Sequence, residues 1–290
     1  MAEVTSPGHK LGQMIGDFFE ELFADDLIGL CNRHGFYCDR KGLRPEVRGN
    51  TKKVTWRDKA GNDHDLDYVV EKGGAYGKRG KPVALIELAW RRYTKHSRNK
   101  TGEIEGSLLH LRDTYSSCGF LGAILAGEYT TGGKNQLTSH GITVFHVPFE
   151  ILANCFRKHG VDLDYPENAS DEHKLSIIRR WKSLSEKDIE AVKRCVRKAT
   201  VKEYSAFIKV LEQSLLRRVK SIVLFPLYGS KRLFQSVPEA ITALTEFDEL
   251  ESAKAKFVKF EIQLRFSDGD KIEATFHHKS QAVNFLRTFV

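Results

Sequence analysis

Apolar positions near the start of the chain recur at helical spacing. Leu11, Ile15, Phe18 and Leu22, with Met14, Phe19 and Phe23 on the neighbouring row, predict a helix from about Leu11 to Arg33, stopped by Gly35. Residues 36–50 are basic, are broken by Gly42, Pro45 and Gly49, and read as a loop. The stretches Lys53 to Arg57 and His64 to Val70 flank Asp58 to Asn62 and predict a β-hairpin. Glu71 to Lys81 holds four glycines among basic residues and reads as a mobile connection able to lie along phosphate. It lacks the Gly-x-x-x-x-Gly-Lys-Ser/Thr spacing of a nucleotide loop. Val83, Ala84, Leu85 and Ile86 form an unbroken apolar run, the pattern of a central strand covered on both faces. A helix from about Thr101 to Ser117, a strand over Phe120 to Ala126, and a polar segment with a short helix follow. A strand over Gly141 to Val147 and a helix from Phe149 to about His159 complete the series. Strands alternating with helices in this order predict an α/β sandwich around a mixed sheet.

Beyond Gly160 the pattern changes. Gly160 to Ser170 is polar and reads as a domain boundary. Two helices are expected near Asp171 to Leu184 and Glu186 to Leu216, rich in Arg and Lys that could track DNA or simply be solvated. The last seventy residues read as a small α+β unit. Its signs are a strand over Ser221 to Leu227, a helix capped by Ser236 with Pro238 in its first turn, and a clean alternation from Val258 to Phe266. An Asp268-Gly269 turn, a strand over Lys271 to His277 and a helix capped by Ser280 follow. The expected division is 1–160, a basic helical segment 161–220, and an accessory unit 221–290.

The chemistry concentrates between Asn62 and Lys100. Side chains alternate faces along a strand, so Asp65, Asp67 and Val69 share one face, as do Val83, Leu85, Glu87 and Ala89. An acid at the end of a buried strand is costly unless something pairs with it. A metal ion bridging Asp67 and Glu87 would do so. Arg91, Arg92, Lys95, Arg98 and Lys100 follow at once as candidate phosphate contacts. Two acids for a divalent cation beside a basic run is the layout of a nucleic-acid phosphodiesterase.

Composition adds direction. A formal net charge of +8 favours a polyanionic partner. No apolar run approaches the ~18 residues that span a bilayer, and the first residues lack the apolar segment of a signal peptide. Cys31, Cys38, Cys118, Cys155 and Cys195 are odd in number and widely spread, without a Cys-x-x-Cys pair. The expectation is buried free thiols in a reducing cytoplasm, with no membrane association. No His-Glu-x-x-His, His-Asn-His or Gly-x-Ser-x-Gly arrangement occurs. His64 and His146 read as structural.

The first half resembles the PD-(D/E)XK nucleases, most closely their Mrr-type restriction endonuclease branch. Gly16-Asp17-Phe18-Phe19-Glu20 and Gly35-Phe36 are similar to that branch's opening helix and its end. His64-Asp65-Leu66-Asp67-Tyr68-Val69-Val70 resembles the strand with the metal-binding Asp, and Ala84-Leu85-Ile86-Glu87-Leu88-Ala89 the strand with the acid-x-Lys element. The downstream part, Gly119 to Phe145, resembles the branch's strand, polar helix and Gly-Ile strand. The likeness covers about residues 11 to 155 and implies a restriction-endonuclease-like sandwich. It also implies Mg²⁺, or Mn²⁺, held by Asp67, Glu87 and the Leu88 carbonyl, with Glu20 binding a second ion or its water shell. Asp65 stands as a substitute for Asp67.

One departure matters. The family's lysine position holds Ala89. Either the lysine was removed to trap an uncut complex, or its role moved to Lys95, Arg91 or Lys100, or the chain binds without cutting. The reading is a metal-dependent DNA endonuclease of restriction or antiviral defence, acting on double-stranded DNA as a homodimer. A partner protein could dock on the C-terminal unit. The alternative is a nuclease-fold DNA binder that recruits a partner, and an RNA-processing nuclease stays open.

Overall fold

Helix α1 (Pro7–Arg33) starts four residues before the apolar periodicity does, because Ser6 caps it by accepting the His9 N–H at 3.3 Å and Pro7 fits the first turn. The computed structural model describes residues 6–94, 97–226, 232–247, 259–267 and 269–290. These divide into two units, up to Glu212 and from Gln213 onward.

In the first unit the order after α1 is β1 (Phe36–Arg40), α2 (Pro45–Arg48), β2 (Val54–Arg57), β3 (Asp63–Leu66), β4 (Tyr68–Lys72), β5 (Lys81–Arg91) and α3 (Ser97–Thr114). Then come β6 (Phe120–Gly127), α4 (Thr131–Ser139), β7 (Ile142–Pro148), α5 (Phe149–Arg157), α6 (Asp171–Lys182), α7 (Glu186–Ala199) and α8 (Val201–Leu215). A five-stranded mixed sheet has the order β1-β4-β5-β6-β7, antiparallel across β1, β4 and β5 and parallel across β5, β6 and β7. The β2–β3 hairpin stands apart as a two-stranded sheet. On one face of the sheet Leu85, Ala89, Leu121 and Leu125 pack with Ile104, Leu108 and Leu111 of α3 and Leu137 of α4. On the other, Phe19 of α1 stacks on Trp90 at 6.4 Å, and Phe23 meets Phe145 and Tyr204 of α8.

Several expectations change here. Residues 36–40 form an edge strand, not a loop, and Asp39 is buried in it. The hairpin's second strand is two strands, broken at Asp67. The Gly-rich connection is tied down. Arg44 donates to the carbonyls of Ala75 (2.6 Å), Tyr76 (3.0 Å) and Lys78 (2.6 Å), and Glu71 accepts the Gly80 N–H at 2.7 Å. No boundary falls at Gly160 to Ser170: Val161 and Leu163 are buried, and α6, α7 and most of α8 belong to the first unit. The long second helix is two, capped between them at Thr200.

Cysteine usage also differs. Cys155 on α5 and Cys195 on α7 form a disulfide, while Cys31, Cys38 and Cys118 are free and buried. The two helices pack side by side and bring together cysteines that are 40 residues apart. Five free thiols are therefore not what the fold contains, and the cysteines no longer argue for a reducing compartment.

Gly127, at the end of β6, has φ +95°, and a Cβ there would sit 2.1 Å from the Arg91 carbonyl oxygen and 2.7 Å from Trp90. Gly127→Ala is expected to cost about 2–5 kcal/mol in urea unfolding, combining backbone strain and overpacking. Gly132→Ala, where nothing lies within 4 Å, should be near neutral.

The second unit contains β8 (Val219–Pro226), β9 (Arg232–Phe234), α9 (Val237–Glu246), β10 (Phe260–Phe266), β11 (Lys271–Phe276) and α10 (Lys279–Arg287). Its antiparallel sheet runs β11-β10-β8-β9. Ile222, Leu224, Ile262 and Leu264 pack with Ala240 and Leu244 of α9 and Leu286 of α10. Ser236 caps α9 as the sequence predicts, whereas α10 is capped at His278 and not Ser280. Val258 and Asp268 of the expected strand and turn lie outside the described residues. Among the described residues the whole chain is thus mixed α/β with ten helices, none long and apolar enough to cross a membrane.

Candidate functional site

β4 pairs with β5 only from Tyr68 opposite Ile86 back to Lys72 opposite Lys81. Asp67, in the gap between β3 and β4, therefore meets the part of β5 that β4 does not cover. Its Oδ2 accepts the Leu88 N–H at 2.6 Å. A strand residue's N–H and C=O point to the same edge, so the Leu88 carbonyl faces the Asp67 side as well.

Glu87 is 6% exposed, and its carboxyl is hydrogen-bonded to that of Asp67. Burial raises the Glu87 pKa well above the ordinary range, and the Asp67 charge adds to it. Burial likewise pushes Asp67 up to about 6; the Leu88 N–H opposes that, and the Glu20 charge reinforces it. Two contacting carboxyls in a poorly hydrated place share a proton unless a cation joins them.

The cation whose charge lowers both acids is Lys100. It stands on the first turn of α3, half-buried, with its Nζ 3.3 Å from Glu103. Lys100 also lines a cleft of about 380 Å³ together with Arg91, Arg92, Tyr93, Asn99 and Glu103. Lys100 thus belongs to the basic cleft and acts on both acids through its charge.

The other expected residues divide. Glu20, on α1, feels burial that raises its pKa against the pull of Lys41, whose Nζ is 3.4 Å away. It acts on Asp67 through its charge. Ala89 is 3% exposed and on the Glu87 face, packed in the apolar cluster under α3. Arg92 is held by Asp164 (3.0 Å), the Tyr165 carbonyl (3.2 Å) and the ring of Phe149 (3.7 Å), so its charge is already engaged. Arg91 faces the cleft, and Arg98 is exposed on α3. Lys95 lies outside the described residues. Asp65 is not a substitute for Asp67. It sits on the separate hairpin, exposed, with Lys53 and Thr55 each at 2.6 Å. Several basic residues of α6 and α7 serve packing: Arg180 donates to the Gly160 carbonyl, Arg197 to that of Leu22.

Sequence reasoning missed a buried ion network toward the far end of β4. Arg44 pairs bidentately with Glu71 (2.8 and 3.0 Å) and with Asp39 at 2.9 Å, and Arg48 reaches Asp39 at 3.3 Å. The available signal was an acid, Glu71, directly after the apolar Val69-Val70.

No family model and no curated protein matches the chain. Among solved structures it is similar to a crystal structure of a protein of unknown function, AF1548, at 12% identity and a TM-score of 0.30, covering 66% of this chain and 99% of that one.

Proposed function

We propose that the first unit is a restriction-endonuclease-like sandwich that hydrolyses DNA phosphodiesters with a divalent metal ion. The observation that carries this is the pairing of half-buried Asp67 with buried Glu87 in the field of Lys100, a residue that also lines a basic cleft. The donors suit Mg²⁺ or Mn²⁺: two carboxyls that compete for one proton, beside a strand carbonyl aimed the same way. When bound, such an ion supplies charge stabilisation at the phosphate and an activated water.

The remaining roles belong to the chain. The Leu88 N–H holds Asp67 in place. Lys100 brings a positive charge to the acids and to the cleft, taking the part that a lysine at Ala89 would play. Arg91 offers a contact to a phosphate in the cleft. Cutting both strands would call for two such sites, hence a homodimer, and the second unit is free to contact DNA or a partner protein.

The test is cleavage of mixed plasmid and phage DNA with Mg²⁺, Mn²⁺ or EDTA, beside Asp67→Ala and Glu87→Ala. Cutting that needs metal and is lost in both variants is the expected result. Lys100→Met should lower the rate about 100-fold, the scale of one lost transition-state donor. It should also shift metal binding to higher pH, because the ammonium lowers both acids. Ala89 favours one second reading, a DNA binder that does not cut. No cleavage by the natural chain or by Ala89→Lys, with DNA binding indifferent to EDTA, would establish that reading instead.

A further inference from the structure

We infer that Asp58, His64 and His110 form a second, separate site for a divalent transition metal of the zinc class. Asp58 begins the turn after β2, His64 lies on β3, and His110 is on α3. Three elements thus converge, and their donor atoms all lie within 4.8 Å of one another. His64 Nε2 is 2.9 Å from Asp58 Oδ2, and His110 Nδ1 is 3.7 Å from the same oxygen. With Zn–N and Zn–O bonds near 2.0–2.2 Å, ligands at a tetrahedral angle stand about 3.3 Å apart. The two spacings bracket that value, so small side-chain adjustments admit an ion.

The surroundings are those of a metal site with its ligands already oriented. Asp58 Oδ1 is held by the N–H groups of Ala60 and Asn62, both at 2.9 Å, and Oδ2, which accepts the Asn62 side-chain amide at 3.1 Å, is the oxygen turned to both imidazoles. His64 Nδ1 is 3.0 Å from Ser107 Oγ, an outer partner that fixes the ring with Nε2 inward. Asp58 and His64 are largely covered, while His110 is 63% exposed, so a water can complete the coordination from solvent. Two imidazoles and one carboxylate suit zinc, whereas Mg²⁺ prefers oxygen ligands.

The hairpin is anchored on α3 by other bonds too: Tyr115 Oη donates to the Arg57 carbonyl at 2.8 Å, and the Lys59 N–H to Thr114 Oγ1 at 2.9 Å. The metal therefore binds a preformed corner and tightens it. That corner joins the hairpin leading into Asp67 to the helix that begins near Lys100. The inference stands whether or not those residues cleave DNA.

The experiment is a Co²⁺ titration of the full chain after chelator treatment, read by visible absorption. One equivalent should produce the intense bands of four-coordinate Co²⁺ without a thiolate charge-transfer band, and Zn²⁺ should displace them. His110→Ala, at an exposed position, should weaken binding by at least about 10-fold, and Ser107→Ala by about 10-fold. Asp67→Asn should leave the bands intact. Absence of such bands would overturn the inference. So would bands that persist in both His110→Ala and His64→Gln, or bands lost in Asp67→Asn.

Discussion

In EDTA at pH 8, Glu87→Gln is expected to be more stable than the parent chain by about 1–3 kcal/mol. Both acids of the pair bind protons more tightly in the folded chain than in the unfolded one. Stability therefore falls as pH rises, starting near the unfolded carboxylate range around 4 and continuing through about 6 for Asp67. A rise from 3.8 to about 6 corresponds to a loss on the order of 3 kcal/mol once the group is ionised. The amide keeps the shape and removes one of the two charges, so it recovers part of that loss. At pH 4, where the pair is protonated, the difference should vanish. With Mg²⁺ the order changes. The parent gains stability by mass action when the ion binds the folded chain, and the variant does not. Cleavage by the variant should fall at least about 100-fold, the effect of losing ~2.7 kcal/mol of charge stabilisation. Urea unfolding at both pH values, with EDTA and with Mg²⁺, reads all of this. A variant less stable at pH 8 in EDTA would mean that the protein's own cations already satisfy the pair.

Arg44→Met is expected to cost about 3–5 kcal/mol, as breaking a buried ion pair from one side does. Arg44 is 1% exposed, and Glu71 is fully buried. Its guanidinium meets Glu71, Asp39 and three carbonyls of the connection between β4 and β5, with the Tyr37 ring 4.4 Å from its centre. After the change Asp39 keeps Arg48, but Glu71 keeps only the Gly80 N–H among the contacts described. Arg44→Lys should also be costly, because an ammonium cannot reproduce the planar fork. Adding Glu71→Leu to Arg44→Met should return part of the loss, since the stranded charge is what makes the single change expensive. Urea midpoints of the single and double variants test this. A single-variant cost under about 1 kcal/mol would show that water screens the network.

What the sequence determined by itself is what a local period can encode. The 3.6-residue recurrence of α1, the unbroken apolar run of β5, the alternation along β10 and the Ser236 cap are each written within a few turns of chain. Asp67 and Glu87 were legible as candidates for the same reason: each is an acid set beside strand residues that bury. Tertiary structure decided the rest. Phe36 to Arg40 carries the charged Asp39 and does not read as a strand until Arg44 and Arg48 arrive to neutralise it. The break at Asp67 exists because β3 pairs with β2 while β4 joins the main sheet. Lys100 is thirteen residues beyond Glu87, and only the packing of α3 under β5 brings it to the acids. Cys155 and Cys195 meet because α5 lies on α7. Apolar burial follows a repeat along the chain, but a charge or a thiol finds its partner through space, at separations that the fold alone sets.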